Sequence, residues 1–323
     1  MKAVVLYRAC EPVCLKVEDV PVPKARPGWI LVRVRAFGLN HSESILRRFE
    51  ADAPYIHLPR IMGIECAGEI EDPSDSHFRK GDRVVALMGG MGRSFDGSYA
   101  EYALLPESIV FKVDIEMGWT ELATVPETYF TAYSALFDRL CLEPSDSILV
   151  RGATSAAGFA AIRLAKSIGC QVFASTRRAE KRAALEESGA DHPVIDDGSL
   201  RESMRSIAPG GVSKVLELVG PATLLESMSL LRQGGIACDV GVLGKQYTLD
   251  SFDPIKDIPA GTYLTSFYSN EPTQEAMDRI FLHLRQYRID LRPSAVFMLE
   301  DIAKAHELLD SGNANGKIVV RVD

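Results

Sequence analysis

The residues of this chain whose types and spacing could do chemistry begin at Gly152-Ala153-Thr154-Ser155-Ala156-Ala157-Gly158. This run of small side chains separates the apolar Ile148-Leu149-Val150 from Phe159, Ile162, Leu164, Ala165 and Ile168, which recur at helical spacing. Small residues let backbone N–H groups and a helix N-terminus approach phosphate, so the run predicts a strand, a turn and a helix that hold a dinucleotide pyrophosphate. Anchored on Gly158, the glycine positions of G-x-G-x-x-G fall on Ala153, Ser155 and Gly158. Only the last is glycine, and the alternative is a plain small-residue turn. The next strand, Gln171 to Ser175, runs into Ser175-Thr176-Arg177-Arg178, where NAD would want a carboxylate for its ribose hydroxyls, and none is present. Hydroxyls and guanidinium groups suit a 2′-phosphate instead. The sequence therefore favours NADPH, with Ala153, Thr154, Ser155, Ala156 and Ala157 at the pyrophosphate, Ser175, Thr176 and Arg177 at the 2′-phosphate, and Lys181 as a further point charge. The alternative is that Arg177, Arg178, Lys181 and Arg182 form a solvated helix face.

Two kinds of element must position these groups. A chain of 323 residues is long enough for two domains. Its 46% hydrophobic and 25% charged residues are those of a soluble globular protein, and a net charge of −8 argues against a nucleic-acid partner. Neither a secretory signal nor a membrane-length apolar run is read, so the expectation is a cytoplasmic protein without a membrane partner. Six scattered cysteines with no C-x-x-C pair argue against a zinc ribbon, and Cys10 and Cys14 are read as strand residues. Short strand-like runs punctuated by Gly and Pro fill the first hundred residues: Ala3 to Tyr7, Trp29 to Ala36, Ala67 to Ile70, Arg83 to Leu87 and Tyr99 to Leu104. From about residue 120 strands and helices alternate, as in a parallel doubly wound sheet. Helices are expected at Ala179 to Ser188, Ser199 to Ile207 and Pro221 to Leu231, and strands at His192 to Ile195, Val212 to Val219 and Gly235 to Val240. The tail is mixed, with helices at Gln274 to Gln286 and Asp301 to Leu309 and a closing strand Lys317 to Val322.

Taken in order, MKAVVLYR, VRAFGLNHSE, GIECAGEI, GDRVVAL, GSYAEYALLP, ETYFTAYSAL, the glycine-poor turn, SGADH and GKIVVRV resemble the medium-chain dehydrogenase/reductase superfamily, in its zinc-independent quinone oxidoreductase branch. The resemblance covers essentially the whole chain. It implies an α/β fold in which a Rossmann doubly wound parallel sheet, residues 121–267, is inserted in a GroES-like β-barrel catalytic domain made of residues 1–120 and 268–323. It also implies a homodimer joined through Rossmann-domain edges. Zinc-dependent relatives carry a cysteine in G-x-C-G-x-D and a histidine in G-H-E, and the matching positions here are Asn40 and Ile64. The four cysteines of their structural zinc lobe have no counterpart between Met88 and Leu105, so no zinc is expected. His41, Glu43 and Glu65 are read as structural or hydrogen-bonding groups.

Without a metal to polarise a carbonyl, the expected acceptors are small molecules that take hydride readily, quinones or activated alkenes. By the resemblance Asn40 lies near the nicotinamide ribose and the substrate, where an amide can donate to a developing oxyanion but supplies no titrating proton. The resemblance also puts Thr131 and Asn315 near the cofactor, with a hydroxyl bonded to its own backbone as the alternative for Thr131. Val219, then Gly241, Val242 and Leu243, follow two Rossmann strands at their C-terminal ends, where such sheets bind ligands. Phe267, in the expected strand Leu264 to Tyr268, comes next, near the nicotinamide and a dimer seam. Two positions depart from the family pattern: Ile45 stands where bacterial quinone reductases often carry tyrosine, and Gly312 where some relatives carry a cofactor-holding arginine. Tyr55, Tyr129 and Tyr263 are candidate donors, with simple packing as the alternative.

Three functions follow. The first is NADPH-dependent hydride transfer to a quinone. The second is reduction of the carbon–carbon double bond of an enal, enone or enoyl thioester with the same cofactor. The third is a low-turnover NADPH-binding sensor, suggested because no residue stands out as an essential acid.

Overall fold

Two hydrophobic rhythms divide the molecule. Half-buried runs build mainly antiparallel strands in residues 1–130 and 269–323, and almost wholly apolar runs build parallel strands in residues 131–268. These are the two units of the computed structural model, which describes all 323 residues.

The first unit carries β1 (Lys2–Leu6), β2 (Val17–Asp19), β3 (Trp29–Gly38), β4 (Arg60–Ile61), β5 (Glu65–Asp72), β6 (Arg83–Leu87), β7 (Tyr102–Pro106) and β8 (Val110–Lys112). The second carries β9 (Ser147–Arg151), β10 (Gln171–Thr176), β11 (His192–Ile195), β12 (Val212–Glu217), β13 (Leu231–Asp239) and β14 (Tyr263–Ser266). The chain then returns to the first unit for β15 (Ala295–Met298) and β16 (Ile318–Arg321).

In the first unit the larger sheet runs β15-β16-β3-β5-β6-β8 with β7 also on β3, and a smaller one runs β2-β1-β4. Strand β3 is the spine. It takes β5, β7 and β16 antiparallel and sends Ile30, Val32, Val34 and Phe37 into a core shared with Val4, Leu6, Ile70, Val84 and Val320. Pairing with β16 sets Val319 opposite Gly38, and Leu39 N donates to Ile318 O at 2.9 Å. That register carries Lys317 to Asn40, 277 positions away in the chain.

The second unit is one parallel sheet in the order β11-β10-β9-β12-β13-β14. Counted within the unit this is 3-2-1-4-5-6, the doubly wound order of a Rossmann sheet. Ile148, Leu149 and Val150 are wholly buried, as a parallel sheet covered on both faces requires. The helix Ala156–Ser167 packs on β9 and β10, and the helix Leu224–Met228 on β12 and β13.

Some elements depart from the sequence reading. Residues 121–130 belong to the first unit, because the helix Trp119–Leu122 packs on β3, β5 and β16, and Tyr268 stays with the second. The helix expected over Pro221 to Leu231 is only Leu224–Met228: Thr223 N and Leu224 N bond back to Gly220 O in a tight turn, and Leu231 already opens β13. The segment Ala179 to Ser188 starts as a tighter turn, Ala179–Lys181, before the helix Arg182–Glu187. Cys10 and Cys14 lie outside any strand, Cys14 in the short turn Pro12–Cys14 and Cys10 before it, where Cys10 N donates to Arg47 O.

Candidate active site

The phosphate cradle is assembled where β9 ends. Gly152 takes φ +78°, a left-handed conformation that favours glycine, and a Cβ there would press on Leu218, Val219 and Leu243 at 3.2–3.3 Å. A Cβ on Gly158 would sit 2.4 Å from Ala153 O, so this glycine lets the helix pack against the turn that precedes it. Ser155 caps the helix Ala156–Ser167: its Oγ accepts from Gly158 N at 3.1 Å and donates to Gly152 O at 3.0 Å. The first N–H groups of a helix have no intrahelical acceptor, and with that of Gly158 taken by the cap, those of Ala156 and Ala157 remain for an anion. Ala153 is buried, whereas Thr154, Ala156 and Ala157 are half-buried at the turn. The residues present fit a dinucleotide pyrophosphate.

The cluster after β10 divides. Ser175 and Thr176 are buried and serve the chain itself, Ser175 Oγ accepting from Gly152 N at 3.4 Å and Thr176 Oγ1 from Arg178 N at 3.1 Å. Arg177 is exposed. Lys181, far from being a solvated charge, is only 5% exposed, and burial, then the nearby Arg178 guanidinium, push its proton affinity below that of an ordinary lysine. The neighbouring Glu180 carboxylate pulls that affinity the other way, by less. Arg182 is the solvated member, paired one helical turn on with Glu186 at 3.2 Å. Arg178 is thus the guanidinium that bears on Lys181, while Arg177, named from the sequence, stands exposed.

Across the C-terminal ends of β12 and β13, Val219 and Gly220 donate their N–H groups to Glu217 Oε1 at 2.8 and 3.2 Å. Leu243 N and Gly244 N bond back to Leu218 O and Val219 O, and Gly241 lies so close to Leu218 O that a Cβ would reach 2.2 Å. Val242 closes the same loop by accepting from Lys245 N. Phe267 lies just past β14, its N–H on Asp239 O and its ring 5.8 Å from the Arg139 guanidinium. Thr131 sits half-buried in the helix Pro126–Tyr133, as the first residue of the second unit.

In the first unit the chemistry gathers around Asn40. Lys317 Nζ donates to Asn40 Oδ1 at 2.6 Å and pairs with Glu65 Oε1 at 2.5 Å. Asn40 Nδ2 donates to the same Glu65 oxygen at 2.8 Å and approaches Glu43 Oε1 at 3.5 Å. The other Glu65 oxygen accepts Glu127 N at 2.7 Å, and Glu43 accepts Asn40 N at 2.6 Å and Ile64 N at 3.2 Å. Burial drives the Glu43 carboxyl up to about 7, with Lys317 pulling it down and Glu65 pushing it up. Gly38 makes the room, since a Cβ there would lie 2.2 Å from Lys317 Cε and 2.6 Å from Glu65 Oε1.

This geometry revises the sequence reading of Asn40. Both poles of its amide are engaged within the protein, so the amide is itself held in place. Asn315 is exposed in the bend before Gly316, and it is Lys317, two residues on, that reaches Asn40. His41 is exposed, while Glu43 and Glu65 are wholly buried. Of the candidate tyrosines, Tyr55 and Tyr263 are exposed and Tyr129 is buried. Lysine in a closing G-K dipeptide was the available signal for this cluster.

The family model described as an alcohol dehydrogenase GroES-like domain matches residues 26–115, and the one described as zinc-binding dehydrogenase matches residues 156–281. A quinone oxidoreductase of Lama guanicoe is 30% identical over 99% of this chain and 97% of its own length. The chain belongs to the quinone oxidoreductase-like family of the medium-chain dehydrogenase/reductase superfamily. The quinone oxidoreductase of Homo sapiens is 28% identical over the same shares. Among solved structures, AibC matches with a TM-score of 0.88 at 27% identity, covering 100% of this chain and 96% of its own. An NAD-dependent alcohol dehydrogenase matches with 0.85 at 25% identity, covering all of both. As a medium-chain dehydrogenase/reductase the protein is an oxidoreductase with a nicotinamide-cofactor fold, and its two units are the Rossmann and GroES-like parts of that architecture. The zinc named in one family description does not fit these residues. A zinc site needs a closed set of N, S or O donors, and no group of three or more His, Cys, Asp or Glu side chains is arranged to hold a metal ion. Around Asn40 and Glu65 the cation is already present as the Lys317 ammonium.

Proposed function

We propose that the protein is an NADPH-dependent, metal-free reductase that delivers hydride to a quinone. The observation that carries this reading is the Lys317–Asn40–Glu65 cluster, a fixed organic cation where a Lewis acid would otherwise be needed. Substrates that accept hydride without metal polarisation suit such a site, and quinones and conjugated carbonyls have that property. Bound NADPH supplies the hydride. Ser155 and the first turn of its helix hold the pyrophosphate, and Lys181 with Arg178 supports the preference for a 2′-phosphate over the bare ribose of NADH. Solvent protonates the reduced acceptor. The protein is proposed to act as a homodimer in the cytoplasm, and no helix is long and apolar enough to cross a membrane.

The test is a turnover panel of NADPH and NADH against 1,2- and 1,4-quinones, short enals, enones and enoyl thioesters. The expected result is quinone turnover with NADPH preferred more than about tenfold. Lys181→Ala should raise the NADPH KM by about tenfold and leave the NADH KM within about twofold, the pattern for loss of one charge-assisted phosphate contact. Faster turnover of an alkene than of any quinone would replace the leading reading with double-bond reduction. Tight NADPH binding with no turnover at all would leave the sensor role.

A further inference from the structure

The pairing of the parallel strands lines up a row of ionisable groups on one face of the second unit, at the C-terminal ends of its strands. Arg151 closes β9, Glu217 closes β12 opposite it, and Asp239 closes β13 opposite Glu217. Opposed residues of a parallel pair point to the same face, so the three side chains lie side by side. One cation serves four carboxyls here. The Arg151 guanidinium is buried and pairs with Asp196 Oδ2 at 2.9 Å and Glu226 Oε2 at 2.6 Å. It reaches Glu217 only through the Ser227 hydroxyl, which accepts from Arg151 Nη1 at 3.1 Å and donates to Glu217 Oε2 at 2.5 Å. Glu217 is therefore well supplied with donors, since its Oε1 also accepts Val219 N and Gly220 N.

Asp239 is not. Its buried Oδ1 has no hydrogen-bond partner, β14 sets only Ser266 opposite it, and Arg139 bears on Cys238, whose side chain points to the other face. Burial, then the Glu217 charge, raise the Asp239 carboxyl to about 6, against a weaker pull from the Val240 N–H. Burial raises the Glu217 carboxyl as well, but the Ser227 hydroxyl, Arg151 and two backbone N–H groups oppose it, so the proton of the pair rests on Asp239. The same pair holds the loops that follow. Glu217 anchors the β12 loop through its carboxylate and the β13 loop through its carbonyl oxygen, which accepts Val240 N at 2.9 Å and Gly241 N at 3.3 Å. A second negative charge beside Glu217, present once Asp239 loses its proton, works against both anchors.

We propose that Glu217 and Asp239 are positioning residues for the nucleotide: a proton on Asp239 keeps the loops at 219–220 and 240–243 in the arrangement that binds it, and binding draws that proton in. This rests on the cofactor reading above and requires neither residue to touch the ligand. Protonation and binding then reinforce one another, so affinity is greatest below about pH 6 and falls as pH rises through that value.

The test is isothermal titration of the full chain with NADP+, which survives mild acid, from about pH 5.5 to 8 and in two buffers of different ionisation heat. Kd and the protons taken up are read together. The 2′-phosphate of the ligand titrates in the same range, so each curve is compared with that of Asp239→Asn, whose amide stands permanently for the protonated acid. Between about pH 5.5 and 7.5 the wild-type Kd should rise about fivefold more than that of Asp239→Asn, and near pH 7 the wild type should take up about half a proton more on binding. Glu217→Gln, which removes the neighbouring charge, should move that extra uptake to lower pH. A merely structural role would weaken binding equally at every pH. Kd curves parallel within about twofold, with equal proton uptake in wild type and Asp239→Asn, would overturn the proposal. Thermal unfolding checks that each variant is folded; should Asp239→Asn not fold, Glu217→Gln decides, and uptake at an unchanged pH there overturns it. A wild type that binds neither NADP+ nor NAD+ at any pH would defeat the cofactor reading and this proposal with it, an outcome distinct from binding without proton linkage.

Discussion

Glu43 is a carboxyl group in an unfavourable place, wholly buried with Glu65 and Lys317 as its charged neighbours and the buried Tyr99 hydroxyl close enough to feel its charge. Its folded-state value of about 7, against 4.5 for the free side chain, means that the folded protein holds the proton where the unfolded chain has released it. The unfolded state then binds fewer protons between these two values, so stability falls as pH rises from about 4.5 through 7 and levels off above. The loss due to this one group is on the order of 3 kcal/mol at most. Glu43→Gln should flatten that slope, so urea midpoints measured from pH 5 to 8 should converge with or cross those of the wild type as pH rises; parallel curves would show that Glu43 does not titrate in this range. GLNHSE and GIE display Asn40, Glu43 and Glu65, but only Asn40 reads from the sequence as a site residue; Glu43 and Glu65 read as structural groups, and Asn315 stands out where Lys317 does not. The reason is physical: what turns these residues into a site is the β3–β16 register, which joins positions 277 apart and has no local signature. Lys181, which the sequence offers as a further point charge against the alternative of a solvated face, is the member the fold buries, while Arg182 stays outside.

Elements were more legible than sites where one local rule governed them. Strand Arg83–Leu87, strand His192–Ile195 and helix Gln274–Gln286 stand where alternation, apolar runs and helical spacing placed them, the last opened by Thr273, whose Oγ1 accepts from Ala276 N at 3.2 Å. Pro221 to Leu231 failed because its helical spacing competes with a turn at Gly220, φ +93°, and with the pairing that draws Leu231 into β13. The degraded glycine fingerprint is an element-scale matter as well. With Ala153 and Ser155 at two of the glycine positions, the turn is closed by a serine cap, so Ser155 does part of the work for which glycines are otherwise chosen. Ser155→Ala should therefore cost about 1 kcal/mol of stability in the second unit, and Ser155→Gly only a few tenths. The cap alone predicts the stability order wild type, then glycine, then alanine, with NADPH affinity weakened several-fold in the alanine variant as the helix start loosens. An alanine variant as stable as the glycine one would mean that the cap contributes nothing.

At the scale of the whole molecule, the division into two units was readable from the change of rhythm near residue 120, but the point of crossing was not, because the helix Trp119–Leu122 takes its place from packing on β3, β5 and β16 rather than from its own composition. Oligomeric state depends on a different kind of evidence, the sheet's unpaired edge. Strand β14 pairs with β13 on one side only, so its outer backbone groups are free to pair, and Tyr263 on it and Tyr268 just past it are 62% and 78% exposed. The proposed homodimer would set a two-fold axis beside β14, so that the same strand of a second copy pairs with this edge, antiparallel by symmetry. Sedimentation equilibrium at micromolar concentration should then show a dimer for the wild type. Tyr263→Lys, which sets a charge on the edge, should shift the equilibrium towards monomer by at least about tenfold in dissociation constant while leaving NADPH affinity unchanged. A monomeric wild type at that concentration would rule out this assembly, and a dimer indifferent to Tyr263→Lys would move the seam to another face.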